Sequence, residues 1–296
     1  MGKPKPLSFN AKKNILHWKL FYKSALMKEK AVKMIVHIIA YIIVGVLSGL
    51  LAGLLGIGGG IIIVPSLFFI YTVFDVGVAT PMHLAVGTSL AIITLTSVVA
   101  MFLYEKRQAI FWHIFKNLNI PLIIGGFFGV FISYLIPGAV LAKIFSIVAL
   151  LFGLYFLFAR KVHKRTKKPE KILVVFLGLV IGSLATLLGI GGGVVGMPLF
   201  IMLFRVPNYS LIGTAATATF ITALVGTLSY LVTGFNILGN PHSIGYIHLP
   251  SFLSIGLISV FTVPFGIKLA DKLNVKILKK IFAVALIATS IFMFFK

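Results

Sequence analysis

The chain has 296 residues, of which 59% are hydrophobic and only 11% are charged. A soluble domain of this size carries about 25% charged and about 45–50% apolar residues, so this much apolar surface requires a bilayer. The 27 Lys and Arg residues outnumber five acidic ones, but they lie in the N-terminal arm and in short connections between apolar runs, as in cytoplasmic loops. The composition therefore predicts an integral membrane protein and argues against nucleic-acid binding.

The N-terminal arm, residues 1–33, is rich in lysine and precedes the first long apolar run. No small-residue cleavage site follows a short apolar run here, so we expect the arm to be retained rather than removed as a signal. Between residues 7 and 30 apolar side chains interleave with lysines, as in an amphipathic helix at the membrane interface. A solvated basic tail fits the same pattern, and both interpretations stay open.

Ten apolar stretches follow the arm. Most approach the roughly 20 residues that a spanning helix needs, whereas the two that follow glycine clusters are shorter and are expected to begin inside the membrane. The fold class predicted is an all-α, polytopic bundle of transmembrane helices. The stretches lie at 34–56, 60–74, 82–103, 116–136, 139–159, 171–189, 193–205, 209–233, 248–267 and 276–295.

The ten stretches form two copies of one unit. Residues 45–65 (GVLSGLLAGLLGIGGGIIIVP) align without gaps on residues 178–198 (GLVIGSLATLLGIGGGVVGMP), with twelve identical positions of 21. A second match pairs Gly87-Thr88 with Gly213-Thr214. The sequence therefore predicts three parts after the arm: a first transmembrane repeat at 34–159, a basic cytoplasmic linker at 160–171 and a second transmembrane repeat at 172–296.

An odd number of segments in each copy would place the second copy upside down relative to the first, as in many secondary transporters. This inverted repeat, with five segments in each half, puts 16 of the 27 basic residues on the cytoplasmic side. If each glycine-linked pair instead crosses once, 20 basic residues lie inside. We favour the inverted repeat because it misplaces only the arm, whereas the alternative puts a five-lysine loop, residues 268–280, outside.

The glycine clusters are the first candidate binding element. Three consecutive glycines break a helix and free backbone groups, which hydrocarbon tolerates only where they line a cavity or are buried in protein. A helix that restarts after each cluster would point N–H groups and its positive dipole end at a small anion. Close helix packing through small residues is the alternative. The candidate residues are Gly58, Gly59, Gly60, Gly191, Gly192 and Gly193.

The second candidate element is the start of the third segment in each half, which carries hydroxyl groups. Thr88 and Ser89 lie there in the first copy, and Thr214, Thr217 and Thr219 in the second. Hydroxyl groups donate hydrogen bonds to anions, although in a membrane helix they also bond to their own backbone. Ala215 replaces Ser89 in the second copy, so the two half-sites are not expected to be equivalent.

His83 is the candidate for coupling to an ion. Ionisable residues are costly within a membrane and are functional candidates there. A histidine five residues before Thr88 could take up a proton near neutral pH, although an interfacial histidine at a helix start is the plainer interpretation. Proton and sodium both stay open as the coupling ion.

The sequence offers little support for other functions. It contains no cysteine and no catalytic or nucleotide-binding motif, so we predict no enzyme activity, no cofactor and no metal site. An anion channel is harder to exclude, because glycine loops could also form a filter.

The paired LLGIGGG-x4-P stretches, each followed by a Gly-Thr element, and the basic linker between the halves resemble the TauE/SafE family. The resemblance covers nearly all of the chain from about residue 34 onward. It implies secondary transport of small sulfur-containing anions, such as sulfite or organosulfonates, across the prokaryotic cytoplasmic (inner) membrane. By position, it implies that Gly58–Gly60, Gly191–Gly193, Thr88, Ser89 and Thr214 bind the substrate.

Overall fold

The computed structural model describes residues 35–73, 77–158, 170–203, 208–235, 242–270, 272 and 275–295. Contacts divide the chain into two units, Met1–Ala40 and Tyr41–Lys296. The described residues of the first unit, 35–40, are the beginning of a helix. The repeat and the candidate site lie in the second unit. The amphipathic arm and most of the basic linker lie outside the described residues, so both stay predictions.

The described residues form ten helices and one two-stranded antiparallel ladder, which confirms the all-α class and assigns one helix to each predicted stretch. The helices are α1 Ile35–Leu55, α2 Gly60–Val73, α3 Pro81–Lys106, α4 Trp112–Leu135, α5 Gly138–Phe158, α6 Lys171–Leu188, α7 Gly192–Leu203, α8 Asn208–Thr233, α9 Leu249–Ala270 and α10 Val275–Phe294; the strands are β1 Ser243–Ile244 and β2 Ile247–His248.

Seven of the described helices are long and apolar enough to cross a membrane, namely α1, α3, α4, α5, α6, α8 and α9. Large apolar side chains project outward from them, including Phe128 and Phe131 of α4 and Phe261 and Phe265 of α9, each more than half exposed. A water-soluble protein rarely exposes such a surface. These side chains are therefore assigned to contact with lipid tails.

Helices α1 and α2 form a hairpin. The hydroxyl of Ser251, in the first turn of α9, donates to Tyr41 of α1 at 2.9 Å and accepts from Tyr71 of α2 at 3.1 Å. The start of α1 and the end of α2 therefore lie at one level, and α2 runs back beside α1. We call residues 56–60, which join α1 to α2, and the equivalent residues 189–193 the glycine tips. The first tip contacts Ile93, which is halfway along α3, so the hairpin turns inside the protein.

Helices α6 and α7 form the equivalent hairpin in the second half. Gly196 of α7 lies beside Ile181 of α6, about two turns before the glycine tip. Pro65 lies inside α2 and Pro198 inside α7. Each short helix therefore begins at its glycine cluster, within the protein.

The central helices α3 and α8 run in opposite directions. The loop after α8 reaches the start of α3, where the backbone N–H of His248 donates to the hydroxyl of Thr88 at 2.9 Å. The loop after α3 reaches the start of α8, where the N–H of Phe111 donates to Thr214 at 3.0 Å. Equivalent helices of the two halves are thus antiparallel, which confirms the inverted repeat. The arrangement with four crossings in each half is excluded, because α2 returns beside α1.

The bundle has two ends, and each is marked by a short connecting segment. We call the end with the start of α3 and residues 242–248 the β face, and the end with the start of α8 and residues 107–111 the linker face. Helix α4 begins and α5 ends at the linker face, where the start of α6 and residue 272 also lie. Most of the basic loops of the sequence adjoin these helix ends. We therefore expect the linker face to lie on the cytoplasmic side, which stays a prediction.

The chain without cysteine allows this assignment to be tested directly. Single cysteines at Lys164 and Lys272 are expected to react only from the cytoplasmic side, and a cysteine at Asn240 only from outside, because α8 and α9 meet at the β face. The measurement is labelling of intact cells and inverted vesicles with a membrane-impermeant maleimide. Labelling of position 240 from the cytoplasm alone would contradict the inverted repeat.

The halves are interleaved by helix pairs that cross between them. Helix α1 packs on α9 through Gly49, where an added Cβ would overlap the carbonyl of Ser259. Helix α6 packs on α4 in the equivalent way, because Gly129 approaches the carbonyl of Ser183. Such close approach of backbones is how small residues hold membrane helices together. Each hairpin is therefore supported by a helix of the other half.

Candidate functional site

The two glycine tips cross near the centre of the protein. A Cβ added to Gly60 would lie 2.5 Å from the carbonyl oxygen of Gly189, and one added to Gly193 would lie 2.6 Å from that of Gly56. Gly60 and Gly193 are equivalent in the repeat, as are Gly56 and Gly189. The crossing therefore has the pseudo-twofold symmetry of the sequence, and the first turns of α2 and α7 lie side by side.

The tips adopt backbone angles that favour glycine. Gly56, Gly58 and Gly59 have φ values of 65°, 78° and 76°, and Gly189 and Gly191 have values of 70° and 74°. This left-handed region costs an L-residue roughly 1–2 kcal/mol. The clusters therefore serve conformation and packing, which was the alternative interpretation of the sequence, and the same geometry is compatible with ligand binding.

Two equivalent side chains of the central helices fill the space between the tips. The methyl groups of Ile93 in α3 and Thr219 in α8 would meet an added Cβ at Gly58 at 2.5 and 2.9 Å. The same two groups lie beside Gly191, at 3.3 and 2.8 Å. All four residues thus meet near the pseudo-twofold axis. Substrate at the tips would have to contact these side chains or displace them.

Carbonyl groups at the tips are capped by hydroxyl groups from the opposite half. Ser89 of α3 donates to the carbonyl of Gly189 at 2.8 Å, and Thr219 of α8 donates to that of Gly56 at 3.1 Å. Ala215 is the sequence equivalent of Ser89, so Thr219 supplies from one turn further along the contact that Ala215 lacks. Ser89 therefore reaches the site, in the role of a backbone cap.

Unlike these carbonyl groups, most backbone N–H groups at the tips are not capped by side chains. The N–H of Gly192 donates to Thr222 at 2.8 Å. By contrast, the N–H groups of residues 58–61 and of Gly193 and Val194 have no hydrogen-bond partner among the described residues. They include the first N–H groups of α2 and α7, which helices leave unsatisfied. The tips therefore carry free N–H donors, whereas the carbonyl groups of Gly56 and Gly189 already accept hydroxyl protons.

Thr88, Thr214 and Thr217 lie further from the tips than Ser89. Thr88 and Thr214 accept the N–H groups of His248 and Phe111 from the loops that cover each face. Thr217 is buried, and its hydroxyl donates to the carbonyl of Gly213 in its own helix at 3.0 Å. The structure thus gives each of the three hydroxyl groups a protein partner, and substrate contact by these three stays a prediction.

Each face is closed by a short segment that packs on a glycine. We call residues 242–248 the β cap and residues 107–111 the linker cap. Gly87 of α3 approaches the carbonyl of Tyr246 in the β cap, and Gly213 of α8 approaches that of Ala109 in the linker cap. These contacts obey the same pseudo-twofold symmetry as the tips. Each cap therefore covers the central helix of the opposite half.

His83 lies beneath the β cap. Its ring stacks on Tyr246 with centroids 5.4 Å apart, and its Nε2 lies 3.0 Å from the carbonyl oxygen of Ser133 at the end of α4. The side chain is 6% exposed. The coupling candidate is therefore placed in the closed face rather than at the tips.

Thr222 and Tyr104 of the site were not predicted, whereas Thr219 was among the predicted hydroxyl groups. Thr219 and Thr222 cap the tips, and Tyr104 donates from α3 to the carbonyl of Gly53 at 2.7 Å. Thr222 and Tyr104 were visible in the repeat, because Thr96 and Tyr230 occupy the equivalent positions. The repeat therefore carried a signal for both, whereas nothing in the repeat distinguishes Thr219, whose equivalent is Ile93.

Comparison with known proteins decides the family. The model of the family described as sulfite exporter TauE/SafE matches residues 41–293. The chain belongs to the TauE/SafE family. It is 35% identical over 247 residues to a Haemophilus influenzae protein called a probable membrane transporter, with 81% of this chain and 92% of that protein covered. No solved structure matches the chain.

Other relatives carry similar names. A probable membrane transporter of Methanocaldococcus jannaschii is 30% identical over 226 residues, covering 76% of this chain and 83% of that protein. The Bacillus subtilis protein YunE, also called a probable membrane transporter, is 27% identical over 199 residues, covering 61% and 73%. This TauE/SafE chain is therefore a multi-pass membrane transporter and not an enzyme, and its bacterial relatives point to the inner membrane.

Proposed function

We propose that this TauE/SafE chain is a secondary transporter of small anions, with sulfite and organosulfonates as the substrate class. Substrate binds at the crossing of the two glycine tips, and access alternates between the two faces. The family description supports the sulfur chemistry. Support for an anion in particular comes from the hydrogen-bonding groups at the tips.

Free backbone N–H groups at the tips carry the proposal. Free N–H groups of α2 and α7 lie side by side, whereas the carbonyl groups of Gly56 and Gly189 already accept hydroxyl protons. A helix N-terminus also carries roughly half a positive charge. An oxyanion accepts several hydrogen bonds and donates few, so it matches such a surface.

Acidic side chains near the tips would cancel this effect. The carboxylates that the structure describes belong to Glu105 and Glu170, both exposed at helix ends of the linker face. Glu105 is occupied there by the indole N–H of Trp112, at 3.0 Å. Within the described residues, the positive potential at the tips is therefore not compensated by a neighbouring carboxylate.

Alternating access requires that each face can close, and the two caps provide this. One backbone hydrogen bond joins each cap to the opposite half, from His248 to Thr88 and from Phe111 to Thr214. Such a bond contributes about 0.5–1.5 kcal/mol, and Tyr246 of the β cap also packs on Gly87 and His83. In the proposed cycle the caps open separately while the helix pairs between the halves stay intact.

The test is anion flux into proteoliposomes, preceded by a screen for thermal stabilisation. Sulfite, thiosulfate, taurine and sulfoacetate are compared with sulfate and simple carboxylates, since a ligand that binds only the folded protein raises its stability. We expect a sulfur-containing anion to stabilise the protein and to show saturable counterflow. Linear flux without counterflow would indicate a channel, and stabilisation only by an unrelated solute would overturn the substrate class.

A further inference from the structure

His83 has one nitrogen that the closed protein leaves unused. A carbonyl oxygen can only accept, so the contact between Nε2 and the Ser133 carbonyl places the ring proton on Nε2. The other nitrogen, Nδ1, is buried and has no hydrogen-bond partner. Neutral His83 therefore presents a bare lone pair inside the protein, which is an uncommon state for a buried polar atom.

The start of α5 lies next to Nδ1. A Cβ added to Gly138, the first residue of α5, would lie 3.5 Å from Nδ1 and 3.4 Å from the Cβ of Met82. A proton adds no volume, so Nδ1 can bind one without displacing these neighbours.

We propose that His83 is the proton-binding site of the transporter and that its protonation opens the β face. The inference rests on the proposed anion transport and assigns the coupling ion. In the closed state the ring is neutral and stacked on Tyr246. A proton on Nδ1 creates a charged donor that faces the start of α5, where the helix dipole is positive and no acceptor is present. Protonation of His83 therefore destabilises the closed β face.

The groups around His83 do not compensate its charge. The titratable neighbours are Tyr246 in the β cap, Tyr230 of α8 through its 2.7 Å hydrogen bond to the Ser133 hydroxyl, and Tyr134 of α4. Burial raises the pKa of Tyr246, so this phenol stays neutral. Lys143 of α5 is exposed. Among the described residues, no carboxylate faces the imidazole from any packed element.

A second histidine of the β cap is also neutral. Burial, together with the nearby His242, lowers the pKa of His248 to about 4, and its Nδ1 is paired with the hydroxyl of Ser251 at 2.8 Å. His248 therefore keeps one charge state through the physiological range. The equivalent position of the linker cap is Phe111, and the linker cap has no histidine among its residues 107–111. Proton sensing is thus assigned to one face only.

The sign of the pH effect follows from the destabilisation of the closed β face by protonated His83. Because the closed β face holds neutral His83, closure is favoured at high pH and is lost at the lower pH that protonates the ring. Wild-type transport is therefore expected to change at least about threefold between pH 8 and pH 5.5. An imposed pH gradient is expected to drive anion accumulation.

The decisive variant is His83→Gln, whose amide can still donate to the Ser133 carbonyl but cannot be protonated near neutral pH. We expect His83→Gln to have a flat pH profile, with anion counterflow fixed near the level of the wild-type protein at pH 8, and to lose accumulation driven by a pH gradient. His113→Gln, at an exposed histidine on the linker face, is the matched control and should behave as wild type. A His83→Gln protein that still responds to a pH gradient would overturn the proposal.

A measurement on the wild-type protein keeps the test independent of that variant. Calorimetric titration with sulfoacetate, whose sulfonate and carboxylate groups both stay ionised from pH 5.5 to 8, in buffers of different ionisation enthalpy counts the protons that the protein takes up with each bound anion. We expect proton uptake between pH 5.5 and 8, and its absence throughout would overturn the inference even if His83→Gln does not fold. Failure of wild-type counterflow would instead remove the proposed anion transport, so the two failures are distinguishable.

Discussion

Gly59→Val is expected to abolish anion flux. Gly59 has a φ of 76°, and an added Cβ would lie 2.5 Å from the carbonyl oxygen of Ser48 and 2.8 Å from its Cβ. Left-handed backbone and overpacking each cost roughly 1–3 kcal/mol, and the backbone of α1 cannot move aside easily. The first turn of α2 would therefore shift, and the N–H groups proposed to bind the anion would shift with it.

Flux into proteoliposomes and thermal unfolding measure the effect together. Gly77→Val is the matched control, because Gly77 has a φ of 73° but nothing within 4 Å of an added Cβ. It should lose some stability and keep its flux, which isolates the contribution of backbone angle. Normal flux in correctly inserted Gly59→Val would contradict a role for the tip in binding.

Gly192→Val separates binding from folding more cleanly. Gly192 does not have a positive φ, and its Cβ would lie 2.9 Å from the Thr222 hydroxyl and 3.1 Å from the carbonyl of Ala218. We expect loss of flux with a smaller loss of thermal stability than in Gly59→Val. Equal stability losses with retained flux would favour close packing as the whole role of the clusters.

Disulfides between the caps and the central helices are expected to reduce the rate of counterflow at least about tenfold. The hydroxyl of Thr88 lies 2.9 Å from the N–H nitrogen of His248, which places the two Cα atoms within about 7 Å, near the upper limit for a disulfide. Oxidation of Thr88→Cys/His248→Cys should hold the β face closed. Phe111→Cys/Thr214→Cys should hold the linker face closed in the same way.

Counterflow before and after reduction is the measurement. Reductant should restore transport, and each single-cysteine variant should be unaffected by oxidant in this chain without native cysteine. Either disulfide alone should suffice, because a carrier needs both faces to open in turn. Normal flux with a formed disulfide would show that the cap concerned does not move during transport.

Local chemistry explains which features were predictable. The ten helices follow from hydropathy, because a bilayer requires about 20 apolar residues for each crossing. The breaks at the glycine clusters, which the structure places at residues 56–59 and 189–191, follow from the freedom of the glycine backbone. The repeat, visible in identical letters, predicted two equivalent halves. The total of basic residues on the cytoplasmic side favoured four crossings in each half, but the five-lysine loop at 268–280 favoured the inverted arrangement, which the antiparallel α3 and α8 confirm.

The partners of the predicted hydroxyl groups could not be predicted in this way. Ser89 and Gly189 are 100 residues apart, and Thr88 and His248 are 160 apart. Their contacts depend on how the helices of the two halves interleave. Hydropathy does not reveal this, because the sides of a membrane helix that face lipid and protein are nearly equally apolar. Thus the sequence by itself determined the membrane class, the repeat and the glycine breaks, which are local properties. Only the tertiary structure decided that each half caps the other, because helix placement selects those pairs.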